Sequence, residues 1–288
     1  MRAACEQVVS RSADVSIGPL DDVLAAIRER PVPAWDGRRH FAGERGRTVA
    51  YIFVLDATNF SFWGGPGGYW KLAEGIRDCY RAGDELSDPD HLSRITAAEL
   101  AGWIGELPLL EERSLSLRQL GGLVAAELGG DFTALIQPTA TATAANLSRR
   151  LESFRDVATY AGAEVPILKR AQIVAADLAG AGLAAFPDLA DLTCFADYKL
   201  PQVLRELGAL AYSERLARRI DDWQELAPGE PAEVEIRAAT IVAVERLRSQ
   251  LAAGGRDLCS YEVDWLLWAL SQELFPMRPH PRVRTIYY

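Results

Sequence analysis

Apolar residues recur at the 3.6-residue spacing of an α-helix along most of the chain. The segments with this spacing are 21–30, 96–104, 115–128, 147–157, 169–183, 200–207, 213–220, 234–251 and 263–274. Strand patterns are few: residues 49–55 form a β-branched and aromatic run, and residues 165–168 form a weaker one. The sequence therefore predicts a mainly α-helical protein with a few short strands.

The 288 residues contain no low-complexity linker, so a single globular domain over 1–288 is predicted. A formal charge of −9 argues against affinity that depends on neutralising duplex phosphates, and we expect no stable nucleic-acid complex. No apolar run approaches the ~20 residues that span a bilayer, and residues 1–10 lack the apolar core of a signal peptide. The four cysteines form no CxxC pair. These features predict a cytoplasmic protein with no membrane partner.

Residues 191–210 combine an acid, two aromatic residues and a lysine immediately before a helical pattern. Asp197 lies between Phe195 and Tyr198, and Lys199 follows them. Aromatic rings stack on a planar base while a carboxylate acts beside it, so this cluster is compatible with a nucleoside-binding site. The commoner alternative is an ordinary loop-to-helix junction, in which Asp197 caps the helix and the rings fill the core.

A second acid lies within the sequence YEVDWLLWAL. Tyr261, Asp264, Trp265 and Trp268 are spaced at i, i+3, i+4 and i+7, which places the carboxylate among three aromatic rings on one helix face. A carboxylate in such a setting is costly to bury unless it is paired or used. The alternative is a first-turn acid that interacts with the helix dipole, with Ser260 as the cap.

Residues 200–220 predict two helices joined by a short turn at 207–210, with Ser213 capping the second helix. This arrangement resembles the helix-hairpin-helix unit of base-excision DNA glycosylases, in which a catalytic acid lies near the hairpin. The alternative is a simple αα-hairpin, which is common in helical proteins.

Five stretches together resemble the queuosine salvage proteins, a family of queuosine 5′-phosphate N-glycosidases. They are FVLDATNFSFW (53–63), LPLLEER (107–113), LKRAQIVAADL (168–178), TCFADYKLPQVL (193–204) and RVRTIYY (282–288). The matching stretches extend from about residue 50 to the last residue, and several are long and rich in aromatic residues.

The resemblance implies hydrolysis of an N-glycosidic bond through a transition state that resembles a ribosyl oxocarbenium ion. Such a reaction needs a carboxylate close to the anomeric carbon and support for the departing base. Queuine is a 7-deazaguanine and has carbon in place of N7. The base must therefore be activated through its carbonyl oxygen and remaining ring nitrogens.

The resemblance also assigns roles to the two acids. Asp264 matches the acid that family members place against the ribosyl group, and Asp197 would contact the base edge or share the acid/base work. The opposite assignment stays open, because the sequence does not indicate which carboxylate has the drier environment. The residues expected to contact the substrate are Phe195, Ala196, Tyr198, Lys199, Trp265, Trp268, His40 and Asn59.

Several of these residues have a specific expected task. Lys199 is the first choice for the 5′-phosphate, ahead of Lys169, Arg170 and Arg237, each of which is more often a surface or ion-pairing residue. His40 lies where the family has a histidine near its substrate. Asn59 follows the predicted strand 49–55 and would form a second pocket wall, although such residues more often shape a turn.

The sequence contains no HExxH or His/Cys cluster, no glycine-rich phosphate-binding loop and no GxSxG elbow. We therefore expect hydrolysis without a metal or another cofactor. Two alternatives differ in class. One is a helical protein that binds a nucleotide or modified tRNA fragment without cleaving it. The other is a nucleic-acid base glycosylase, for which the acidic charge is unfavourable.

Overall fold

The computed structural model describes residues 1–65, 67–83 and 85–288. The chain divides into two compact units. The first unit comprises Met1–Pro33, Val157–Lys169 and Ala190–Arg284, and the second comprises Ala34–Asp156, Arg170–Leu189 and Thr285–Tyr288. The single domain over 1–288 stays a prediction.

Helices dominate the described residues, as the apolar spacing predicts. In chain order they are α1 (Arg2–Arg11), α2 (Asp21–Ile27), α3 (Arg45–Ala57), α4 (Gly68–Ala82), α5 (Pro89–Leu92), α6 (Ala97–Ile104), α7 (Leu110–Glu127), α8 (Ala140–Arg150), α9 (Lys169–Gly180), α10 (Lys199–Glu206), α11 (Glu214–Asp221), α12 (Pro231–Ala253) and α13 (Ser260–Glu273). The strands are β1 (Val15–Ile17), β2 (Val157–Tyr160), β3 (Ala163–Pro166), β4 (Leu210–Tyr212), β5 (Glu225–Leu226) and β6 (Arg282–Val283). The mainly α-helical class with short strands is confirmed.

The first unit is organised around α12, the longest of its helices. Residues 232–244 of α12 are buried on every side, and α1, α10 and α13 pack against it. Three two-stranded sheets lie in this unit: β1 pairs antiparallel with β4, β2 pairs antiparallel with β3, and β5 pairs parallel with β6. These elements hold α10 and α13, the two helices that carry most of the predicted site.

The second unit is built on α3, which packs against α4 and α7. The predicted strand at 49–55 is wrong, because these residues lie inside α3. Every residue from Thr48 to Ala57 is buried. A helix that is buried all round has no polar face, so its sequence loses the 3.6-residue alternation and its β-branched residues imitate a strand.

Two further segments differ from the sequence-based expectation. The predicted helix at 147–157 ends at Arg150, and β2 begins at Val157. The predicted helical hairpin has its two helices, α10 and α11, and Ser213 Oγ accepts a hydrogen bond from Leu216 N at 3.2 Å as the expected cap. Residues Leu210–Tyr212 between them form β4, which pairs with β1, so the connection is longer than a simple turn.

No helix in the described part of the chain has the length and apolar character needed to span a membrane.

Candidate active site

Asp264 lies on α13 with only 4% of its surface exposed. The helix begins at Ser260 with Cys259 as its N-cap, so Asp264 is the fifth residue of the helix and the first-turn interpretation with a Ser260 cap is wrong. Asp264 Oδ2 accepts a hydrogen bond from Phe195 N at 2.6 Å. A short bond between an amide and a carboxylate is among the stronger hydrogen bonds in proteins, and it ties α13 to the segment before α10.

The main-chain carbonyl of the next residue, Ala196, is held from α12. Arg237 Nε donates to Ala196 O at 3.1 Å, and the Arg237 side chain is 3% exposed. Arg237 also lies 3.7 Å from the buried carboxylate of Glu233, one helical turn earlier. The buried Asp264 carboxylate therefore fixes the Phe195 amide, and the buried Arg237 guanidinium group fixes the Ala196 carbonyl. We expected Arg237 only as a weak phosphate candidate, and this contact with the carbonyl is a different role.

Asp197 lies one residue before Tyr198, the N-cap of α10, and its side chain accepts hydrogen bonds from the first turn much as the capping interpretation expects. Its Oδ1 accepts hydrogen bonds from Lys199 N at 2.7 Å and Leu200 N at 2.9 Å, which satisfies two of the unpaired donors of the first turn. The side chain is half-buried. The structural role of Asp197 is therefore clear, and a second role in contacting the base edge stays a prediction.

Lys199 is the first residue of α10 and is partly exposed. Its Nζ donates to Gln202 Oε1 at 3.3 Å and lies 5.9 Å from the centre of the Tyr198 ring. Burial lowers the pKa of the Lys199 ammonium, and the negative charge of Asp197 opposes that shift. Gln202, one turn further along the helix, could have been found from its spacing to Lys199.

Aromatic rings extend this cluster in a way the sequence did not predict. The Tyr198 ring lies 4.6 Å from the His280 ring, which also contacts Trp223 at 5.4 Å. The Arg282 guanidinium lies 4.0 Å from the centre of the Trp223 ring. No motif connects these positions in the sequence. The cluster combines the cations of Lys199 and Arg282 with rings in tilted and edge-on contact, a composition that suits a planar, negatively charged ligand.

The other predicted aromatic residues lie on α13 beside Asp264. Trp265 and Trp268 are both half-buried, and the Trp265 ring meets the Tyr261 ring edge-on at 5.1 Å. Burial, followed by the charge of Glu262, raises the pKa of Tyr261 to about 12. The predicted aromatic face of α13 is therefore present, and stacking of Trp265 or Trp268 on a base stays a prediction.

His40 belongs to the second unit and is 4% exposed. Its ring stacks on Trp35 with 4.0 Å between centroids, and its Nδ1 lies 3.1 Å from the Tyr51 hydroxyl. Burial lowers the pKa of His40 to about 4, so the imidazole is neutral at physiological pH. This neutral ring can exchange a hydrogen bond with the Tyr51 hydroxyl but cannot pair with a phosphate as a cation.

Lowering the pH from 7 to 5 should weaken the contribution of two buried histidines to stability. Burial lowers the pKa of both His40 and His280 to about 4, whereas a histidine in the unfolded chain titrates near ~6.5. Below ~6.5 the unfolded chain takes up protons that the folded chain does not, so the free energy of unfolding falls by up to ~2 kcal/mol for each histidine by pH 5. Urea unfolding at pH 5, 6 and 7 measures this. His40→Gln should reduce this loss. The raised pKa of buried Asp177 contributes with the opposite sign, because a carboxyl whose pKa is raised in the folded state makes acidification favour folding. Urea midpoints that fall with pH as steeply in His40→Gln as in wild type would contradict the assignment.

Asn59 also belongs to the second unit and is 8% exposed. It follows the C-terminal end of helix α3, where the sequence placed it after a strand. In the same unit, burial raises the pKa of Asp177 well above its usual range, and the negative charge of Asp56 adds to this shift. We did not predict this acid pair. Asp177 lies seven residues after Arg170 in α9, so both side chains face one side of that helix, and this spacing was the available signal.

Within the described residues, no group of three or more His, Cys, Asp or Glu side chains is arranged to hold a metal ion.

Comparison with known proteins identifies the family. Residues 39–288 match the sequence profile of the family described as queuosine salvage protein. Three relatives are each named queuosine 5′-phosphate N-glycosylase/hydrolase. The Sphaerobacter thermophilus relative is 43% identical, over 95% of this chain and 91% of its own length. The Dictyostelium discoideum relative is 36% identical, over 84% and 78% of the two chains. The Mus musculus relative is 30% identical, over 83% and 82%.

The profile match covers most of the chain, and the relatives are similar along most of both sequences. The resemblance that the five sequence stretches indicated is therefore confirmed. The chain belongs to the queuosine salvage protein family.

Proposed function

We propose that this protein hydrolyses the N-glycosidic bond of queuosine 5′-phosphate and releases queuine and ribose 5-phosphate for reuse in tRNA modification. The names of its relatives support the substrate and the reaction class. The observation in the structure that carries the proposal is the buried Asp264 carboxylate, held 2.6 Å from the amide of Phe195 at the start of the FADYK segment.

In the proposed reaction, water attacks the anomeric carbon as the bond from that carbon to the base nitrogen breaks. The electron pair of this bond moves to the base, and positive charge develops on the ribosyl group. Asp264 faces the anomeric carbon, where its negative charge stabilises the cation or accepts a proton from the attacking water. A buried carboxylate interacts more strongly with such a charge than an exposed one.

Asp197 then contacts the base edge or supplies the proton that the departing base needs. The opposite assignment of the two acids remains the alternative. One fact favours Asp264 as the residue facing the sugar: Asp264 is buried, whereas one oxygen of Asp197 already accepts two amide hydrogen bonds that begin α10. Relocating Asp197 toward the sugar would cost that cap.

The other predicted contacts complete the proposal. Phe195, Ala196 and Tyr198 line the base pocket, and Trp265 or Trp268 stacks on the base. His40 and Asn59 supply hydrogen bonds to the substrate. Water is the only co-reactant, and the proposed reaction uses no cofactor.

Three finer expectations remain part of the proposal. The helix-hairpin-helix resemblance rests on α10 and α11, although β4 lies between them. The cytoplasmic location rests on the sequence alone. The absence of a stable nucleic-acid complex rests on the formal charge of −9.

The decisive experiment is incubation of the purified protein with queuosine 5′-phosphate, followed by chromatography and mass spectrometry for free queuine and ribose 5-phosphate. Equimolar release of both products is the expected result. Binding of the nucleotide without release of queuine would favour the non-catalytic binding protein. Base release from a queuosine-containing tRNA, with none from the nucleotide, would favour the nucleic-acid glycosylase.

Replacing Lys199 by alanine should weaken use of the phosphorylated substrate in particular. An ammonium group that pairs with the 5′-phosphate contributes about 1.5–3 kcal/mol, so kcat/KM for queuosine 5′-phosphate should fall about 10- to 100-fold. The value for unphosphorylated queuosine should change little. Arg218→Ala, which removes an exposed cation from α11, is the control. Equal losses for nucleotide and nucleoside would contradict the phosphate assignment.

A further inference from the structure

Gln202 joins the Lys199 side chain to a distant segment of the first unit. The Lys199 ammonium group donates to Gln202 Oε1 at 3.3 Å, and Gln202 Nε2 donates to the main-chain carbonyl of Arg278 at 2.7 Å. Gln202 lies three residues after Lys199 on α10 and is 6% exposed. Arg278 lies between α13 and β6, in the same unit. One buried amide therefore bridges the predicted phosphate-binding cation and a segment 76 residues further along the chain.

The Arg278 carbonyl determines which way the Gln202 amide faces. A carbonyl oxygen accepts hydrogen bonds and cannot donate them, so the amide must present its NH₂ group to Arg278 O. Its Oε1 then faces the Lys199 ammonium group, which can donate and cannot accept. The reversed amide would place two oxygen atoms together at one end and two donors together at the other. Both partners therefore favour one orientation, and Gln202 Oε1 is a fixed acceptor for the ammonium group.

A second side chain of α10 holds the same residue of this segment. Glu206 Oε2 accepts a hydrogen bond from Arg278 N at 2.9 Å. Gln202 and Glu206 are four residues apart, so they lie on one face of the helix. The segment therefore stays attached to α10 through Glu206 if the bond from Gln202 is lost. Gln202 and Glu206 share this task, and Gln202 has the further contact with Lys199.

A lysine that binds a phosphate gains from such a contact. Its ammonium group ends a long flexible chain, and holding that chain in one conformation costs conformational entropy. The main-chain amides of Lys199 and Leu200 already donate to Asp197 Oδ1, so these two amides of the first turn are used within the protein. The ammonium group has three N–H donors, and a bond to Gln202 Oε1 leaves capacity for a phosphate oxygen.

We infer that Gln202 is a positioning residue for phosphate recognition, because it holds the Lys199 ammonium group where that group binds the 5′-phosphate of the substrate. This inference rests on the proposed function and assigns Gln202 a share in the discrimination between nucleotide and nucleoside. The entropy cost of ordering the lysine is met in the folded protein instead of on binding, which increases affinity for the phosphate. The effect of Gln202 must therefore depend on both Lys199 and the phosphate group.

The test compares wild type, Gln202→Met, Lys199→Ala and the double variant, each with queuosine 5′-phosphate and with unphosphorylated queuosine. Methionine is similar in length to glutamine and lacks the amide that forms both hydrogen bonds. Gln202→Met should lower kcat/KM for the nucleotide about 3- to 10-fold and leave the value for the nucleoside within about twofold of wild type. The double variant should have the same nucleotide preference as Lys199→Ala, because Gln202 acts through the ammonium group.

A binding measurement tests phosphate recognition without turnover. The Kd of ribose 5-phosphate, measured by calorimetry with ribose as the comparison, should rise about 3- to 10-fold in Gln202→Met. Glu206→Ala is the matched control, because it removes the other side-chain bond between α10 and Arg278 and leaves Gln202 and Lys199 in place. Its preference for the nucleotide over the nucleoside should equal that of wild type.

Three results would overturn the inference from the variants. The first is an equal loss for nucleotide and nucleoside in Gln202→Met. The second is a further loss of nucleotide preference when Gln202→Met is added to Lys199→Ala. The third is a loss of nucleotide preference in Glu206→Ala as large as that in Gln202→Met, because attachment of the segment would then determine the preference. If Gln202→Met does not fold, Gln202→Leu replaces it in the same series.

The wild-type results separate the inference from the proposed function. Wild type that binds ribose 5-phosphate but releases no queuine from the nucleotide would contradict the proposed activity alone, and the Kd series would still decide the inference. Wild type that binds ribose 5-phosphate no better than ribose would overturn the inference, and release of queuine would decide the proposed activity by itself.

Discussion

Asp264→Asn should abolish turnover of queuosine 5′-phosphate while leaving the fold and queuine binding largely intact. The asparagine oxygen can still accept the hydrogen bond from Phe195 N that Asp264 Oδ2 accepts at 2.6 Å, so the segment before α10 stays in place. The negative charge that stabilises the ribosyl cation is lost. Removing one such electrostatic contribution typically costs ~10²–10³-fold in kcat, and the nucleophile-activating role would be lost with it. Single-turnover kinetics and queuine calorimetry measure the two effects separately.

Two further variants give this prediction its controls. Glu273→Gln removes a carboxylate from the end of the same helix, where it pairs with Arg30 on the surface, and should leave kcat unchanged. Asp197→Asn keeps a side-chain oxygen that can accept the hydrogen bonds from Lys199 N and Leu200 N. If Asp264→Asn retains near-normal kcat while Asp197→Asn loses it, the two acids have the opposite roles.

The same two acids illustrate what a sequence can and cannot predict. The start of α10 was readable, because the capping of Lys199 N and Leu200 N by Asp197 is a local pattern of a few residues. The contact between Asp264 and Phe195 was not readable, because 69 residues separate them. Spacing on α13 correctly placed Asp264 among aromatic residues, but only the packing of α10 against α13 determines which backbone group the carboxylate meets.

Unexpected burial explains most of the other predictions from the sequence that the structure does not match. The sequence favours a surface, ion-pairing or phosphate-binding role for Arg237 and Arg170. In the structure both side chains are buried and donate to main-chain carbonyls. An arginine is usually exposed, because a buried guanidinium group needs several hydrogen-bond acceptors arranged around it. Such acceptors come from distant parts of the chain. The prediction for residues 49–55 of α3 failed for a related reason. A helix that is buried on every side has no polar face, so its sequence shows no 3.6-residue alternation of apolar and polar residues.

Arg237→Met should destabilise the first unit by about 3–5 kcal/mol. The change removes the donor to Ala196 O and the guanidinium group that lies 3.7 Å from the buried carboxylate of Glu233. Breaking a buried pair from one side is costly because the remaining charge has lost its compensation. For a chain of 288 residues with an unfolding entropy of ~2.1 cal/mol/K per residue, a loss of about 3 kcal/mol lowers Tm by about 5 °C if the chain unfolds as one cooperative unit.

The double variant Arg237→Met/Glu233→Gln distinguishes a lost ion pair from lost packing. If the uncompensated Glu233 charge causes most of the loss, neutralising it should recover about half or more of the stability, because replacing both members of a buried pair is far less costly than removing one. Arg246→Met, on the same helix, removes an exposed arginine that lies 4.0 Å from Glu6 and should change the free energy of unfolding by less than about 0.5 kcal/mol. A single variant no less stable than this control would contradict the assigned role. The double variant should recover stability but not kcat/KM. Neither replacement restores the donor to Ala196 O, and the proposed base pocket depends on the position of that carbonyl group.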